Sequence, residues 1–200
     1  MRLHSPWIVA ITVILVIALS MMNRESGRSA ERVLVYSNDR IVGASWHRDG
    51  TPVDRWVGIV LDEAGWERLP AAAGVAWTRL GSGAAPDFEN EAAIVAYLGA
   101  MPTGGYAISV REAQFTGVPG AASGPLSGRL TITLWVTSPG PDDFVTQAFT
   151  YPVDIVRVPR SAWPEGALEG LAAGTVDVIV VDQDGRNWGP AYILSSDGAE

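Results

Sequence analysis

From residue 32 onward, apolar and polar positions alternate with a period of two, and glycine, proline and short polar clusters break the alternation into pieces. Such alternation places successive side chains on opposite faces of a strand. Residues 32–36 and 40–47 read as strands flanking Ser37, Asn38 and Asp39, and residues 56–61 as a third. Asp62 offers an N-cap for a helix over 63–73, with Trp66 and Leu69 three apart on one face. Residues 76–80 fit either a short strand or the tail of that helix. Residues 92–99 are apolar at both parities, which predicts a central strand covered on both sides. Further strands are predicted over 106–115, 129–136, 144–151 and 153–159, with Pro152 at a strand end. Residues 81–86 and 117–128 read as loops, and 161–174 as a connection with room for one helical turn. Residues 175–182 and 191–195 predict a terminal hairpin around residues 183–190. About eight to ten short strands, one short helix and no recurring period predict an antiparallel β-sandwich or a barrel-like sheet.

The N-terminus has a different pattern. Residues 7–22 are apolar apart from Thr12 and Ser20 and carry no charge. As a helix they would cover about 24 Å of the ~30 Å hydrocarbon layer. Two assignments fit: an uncleaved membrane anchor, or an export signal cut near the Ala18 and Ser20 pair. Both place the remaining chain outside the cytoplasm. Residues 23–31 are polar and read as a linker. The chain therefore divides into a signal or anchor over 1–22, the linker, and one β-rich domain over 32–200.

Composition narrows the chemistry. The 200 residues hold no cysteine, which excludes disulfides, thiolate metal sites, cysteine nucleophiles and a lipid-modified cysteine after the apolar run. The two histidines, His4 and His47, are too few for a multi-histidine metal site. Every basic residue is an arginine, and the net charge of −8 makes nucleic acid a poor partner. No nucleophile elbow, zinc motif, phosphate loop or dinucleotide fingerprint occurs, so neither catalytic nor cofactor-binding residues are assigned. Asp182, Asp184 and Gly185 resemble the start of a calcium loop, but the downstream glutamate is missing and a tight turn explains them better. The tryptophans beyond residue 22 fit core packing better than a glycan-binding stripe.

One loop stands out. Between the strands ending near Gly99 and starting near Tyr106 lie Pro102, Thr103, Gly104 and Gly105. Proline fixes φ, and paired glycines permit positive φ and close approach of another chain. The segment is either a plain hairpin connection or a recognition loop held on rigid strands.

This loop belongs to an ordered set of features: a helix carrying Trp66; Asp87 and Phe88 before the strand at 94–98; the Thr103, Gly104, Gly105, Tyr106 hallmark; the strand 130–136; and the stretch 138–159. That stretch holds the Pro139, Gly140, Pro141 turn, then Thr146, Gln147 and Ala148, then Thr150, Tyr151 and Pro152. Over about 62–159 the chain resembles the C-terminal domain of the protease complex subunit PrcB family. The resemblance implies a non-catalytic, exported subunit associating with a subtilisin-like protease, or its precursor, at the cell surface. Where a lipid anchors a member of that family, residues 7–22 would serve here. The contact residues expected are Pro102, Thr103, Gly104, Gly105 and Tyr106, with Pro139, Gly140, Pro141, Asp142 and Asp143. A fainter similarity links residues 101–106 to the loop of chagasin-like peptidase inhibitors, with Met101 and Gly104 replacing that family's residues. It implies an alternative in which Pro102 to Tyr106 enter a protease cleft.

Overall fold

The computed structural model describes residues 31–37, 44–45, 54–73, 85–117 and 125–196. The predicted anchor at 7–22, His47, the 76–80 segment and most of the 117–128 loop lie outside them. Among the described residues, no helix is long and apolar enough to cross a membrane.

The described residues form nine strands: β1 (Glu31–Ser37), β2 (Ala44–Ser45), β3 (Trp56–Val60), β4 (Glu91–Tyr97), β5 (Ala107–Gly117), β6 (Gly128–Thr137), β7 (Pro152–Pro159), β8 (Val176–Asp182) and β9 (Tyr192–Leu194). Helix α1 (Glu63–Ala73) follows β3, and a short α2 (Ala167–Ala172) precedes β8. The strands make two sheets, one in the order β1-β5-β6-β8 and the other in the order β2-β7-β4-β3-β9.

Burial follows parity. In β4, Ala92, Ile94 and Ala96 join Val57 and Ile59 of β3 and Val156 and Val158 of β7 in the larger core cluster. They share it with Ile108, Val110 and Phe115 of β5 and Leu130, Ile132 and Leu134 of β6, so this cluster holds side chains from both sheets. The opposite parity of the second sheet, Trp56, Val60, Ala93, Val95, Tyr97 and Val153, clusters with Leu69 of α1. Strand β4, apolar at both parities, is buried at both, as its sequence predicts.

Helix α1 begins where its cap predicts: the Gly65 N–H donates to Asp62 Oδ1 at 2.8 Å. The other carboxylate oxygen of Asp62 accepts from the Ser196 N–H at 2.6 Å and its hydroxyl at 2.7 Å, clasping the chain beyond β9 to the helix start. Arg68 donates to the Ser195 carbonyl oxygen from the same helix. The helix also sets Trp66 against Phe88, ring centroids 6.1 Å apart.

Several expectations are corrected. The sheets are not wholly antiparallel: β6 pairs with β8, and β3 with β9, in parallel. They remain two sheets rather than a barrel, and α2 adds a second helix beside the one predicted. The terminal hairpin does not form, since β8 edges the first sheet and β9 the second. The tight turn between them does form: Asp182 Oδ1 accepts from the Asp184 and Arg186 N–H groups, and Gly185 has φ +75°. Finally, residues 144–151 carry no strand beyond one bridge at Thr150. Neither parity of that stretch is consistently apolar, so no face could bury as a strand.

Candidate docking site

The two predicted contact loops meet. One runs from β4 to β5 and the other from β6 to β7, so both cross between the sheets, and the strands they leave and enter are paired, β4 with β7 and β5 with β6. Met101 and Thr150 exchange backbone hydrogen bonds at 2.8 and 2.9 Å. The Gly104 N–H donates to the Thr146 carbonyl at 2.9 Å, and the Thr150 hydroxyl donates to the Thr103 carbonyl at 2.8 Å. Below them the Leu98 N–H donates to the Pro152 carbonyl at 3.0 Å. These bonds continue the β4–β7 pairing beyond the regular strands and zip residues 98–104 to 146–152, giving two irregular segments fixed partners.

The paired glycines are required by this closeness. Gly105 has φ +83°, and a Cβ there would lie 2.9 Å from both Pro139 Cβ and Val145 Cγ1. A Cβ on Gly104 would lie 2.5 Å from Thr146 Oγ1. The Thr103 to Tyr106 hallmark is thus the side on which the 138–150 segment rests. Tyr106 is half-buried and packs against the main core, so it supports the loop from below. Pro102 is exposed, and Thr103 and Pro139 are half-buried.

The Pro139 turn is locked by its own acid. Asp143 Oδ2 accepts from the Gly140 N–H at 2.7 Å, while the Asp143 N–H donates to the Gly140 carbonyl at 3.2 Å. Gly140, Pro141 and Asp142 stand exposed around it. The ten predicted contact residues therefore lie on two loops that meet, with Tyr106 turned to the core beneath them.

That surface carries two side chains the sequence reading did not single out. Phe144 is 108% exposed and Phe149 is 69% exposed, the most exposed large hydrophobic residues among those described. Treating 144–151 as a strand assigned them to a ladder and hid them. The available signal was Phe144 directly after Asp142 and Asp143, in a stretch with no sustained period-two pattern.

Below the platform lies a buried carboxylate. Asp154 shares the inner parity of β7 with Val156 and Val158 and is 2% exposed. Its Oδ2 accepts from the Val110 N–H at 2.8 Å, where the β5–β6 register shifts between Val110 and Glu112. Burial pushes its pKa above the ordinary carboxylate value, against the opposing pull of the Val110 and Ile155 N–H groups. Its bond to the Val110 N–H ties β7 of the second sheet to β5 of the first. Among the described residues, no group of His, Asp and Glu side chains could hold a metal ion.

The tryptophans divide as core packing predicts, with Trp56 and Trp163 buried. Among the described tryptophans Trp135 is the exposed one, at 41%, with the Arg111 guanidinium 5.1 Å from its ring centroid. No curated protein and no solved structure gives a significant match to the chain. Residues 92–159, from β4 through both platform loops to the end of β7, match the family model described as PrcB C-terminal.

Proposed function

We propose that this chain is a non-catalytic binding module that docks on a protein partner of a protease complex through the platform formed by residues 101–106 and 138–150. The observation that carries the reading is Phe144, whose side chain stands wholly in solvent on a segment whose backbone is pinned. An exposed aromatic costs solubility and is stabilised by nothing in its own fold, while a pre-ordered aromatic anchor is what a protein interface uses. The match to PrcB C-terminal supports a protease complex as its setting, and the matched span contains the whole platform. An envelope location, with residues 7–22 as anchor or signal, fits the same reading.

The chagasin-like alternative is less favoured by the geometry. The Met101 and Gly104 N–H groups are already bonded to Thr150 and Thr146, so the loop has few backbone donors left for a protease cleft.

The test is co-purification. Full-length chain carrying an affinity tag is expressed in its native cell envelope, and bound proteins are identified by mass spectrometry. Recovery of a protease or its precursor, lost in the Phe144→Ala, Phe149→Ala double variant, is the expected result. Equal recovery by the parent and the variant would refute the platform as the contact.

A further inference from the structure

We infer that the partner presents an apolar pocket rimmed by cationic side chains, which receives Phe144 as an anchor and pairs with Asp142. This rests on the docking reading above and adds the chemistry of the complementary surface.

The inference comes from what stands around the two phenylalanines. Residues 138–150 contain two carboxylates, Asp142 and Asp143, and no basic side chain. Asp143 is occupied in holding the Gly140 N–H, whereas Asp142 is exposed and makes no such bond. Locking the turn through Asp143 fixes Asp142 immediately before Phe144, so an apolar anchor and a free negative charge are presented together. Burying Phe144 in a partner removes water from Asp142 as well, and an unpaired carboxylate at such a rim is unfavourable. A cation on the partner removes that cost and excludes partners with acidic rims.

The same charges argue against a lipid surface as the occupant. Exposed phenylalanines can enter a membrane interface, but such segments recruit anionic lipid with flanking lysine or arginine. Here the flanks are acidic and the whole chain carries −8. A second copy of the chain is disfavoured for the same reason, because it would bring a like-charged loop to the contact.

Site-specific photocrosslinking tests this. The photoreactive residue p-benzoylphenylalanine replaces Phe144 in one full-length variant and Thr146 in another, each expressed in the native envelope and irradiated. The inference expects the residue-144 probe to mark a partner peptide with apolar residues flanked by arginine or lysine. It further expects Phe144→Ala to weaken binding to that partner about 30-fold or more. Asp142→Asn should slow association several-fold at low salt and hardly at all at high salt. A residue-144 crosslink to lipid, to a second copy of this chain or to an acid-rimmed surface would overturn it. Crosslinks from residue 146 alone would refute the pocket and leave the docking reading standing. No protein crosslink from either position would refute both.

Discussion

At the scale of single residues, Gly105 and Asp154 make the strongest demands. Gly105 combines a left-handed φ with contacts that leave no room for a Cβ. We expect Gly105→Val to destabilise the chain by about 1–3 kcal/mol in denaturant unfolding, because strain and clash add in one place. A variant as stable as the parent would show that the loop backbone relaxes without cost. Asp154 is a carboxyl whose folded pKa lies above its unfolded value. The stability linked to it is therefore fully present below the ordinary carboxylate range and declines as pH rises through the raised value. Asp154→Asn keeps an acceptor for the Val110 N–H but cannot ionise. The stability of the parent relative to this variant should fall as pH climbs from about 4; parallel pH curves would contradict the assignment.

At the scale of elements, Asp62 joins a helix start to the end of the chain. Burial acts to raise its pKa, but hydrogen bonds from Ser196 and Gly65, with the Arg68 charge, outweigh it and hold the carboxyl below its usual value. Its contribution is present above the ordinary carboxylate range and is lost as pH falls through the lowered value. Asp62→Ala should cost about 1 kcal/mol near neutral pH through loss of the cap. That difference should shrink on acidification below about pH 4, read from thermal unfolding across pH. Elements whose signals are local were legible: the Asp62 cap, the central position of β4, Pro152 at the start of β7 and the turn at Asp182. Pairing between distant segments was not. Strand β9 lies beside β3 because Gly58, Ile59 and Val60 meet Tyr192, Ile193 and Leu194, a contact no turn residue announces. Strand β8 likewise reads as half of a hairpin, because the Asp182 turn reverses the chain for a few residues before β9 leaves for the other sheet.

At the scale of the whole molecule, the two sheets and α1 form a scaffold that holds one irregular surface. Composition withheld cysteine and left only two histidines, and the Thr103 to Tyr106 pattern marked one of the two loops that meet. What sequence could not supply was its partner loop's conformation. Phe144 and Phe149 are apolar residues that, in a strand, would help to fill a core, and only the backbone zip to residues 101–104 shows them facing water. Because Phe144 touches little of its own fold, Phe144→Ala should leave the unfolding midpoint unchanged within about 0.5 kcal/mol while weakening association. A clear drop in stability would mean that the side chain packs within the chain.

The most direct measurement of the central claim is amide hydrogen exchange on the full chain, free and bound to the protein it co-purifies with. The account predicts new protection confined to residues 101–106 and 138–150. Protection instead over the outer face of β6, from Arg129 to Trp135, with these loops unchanged, would contradict it.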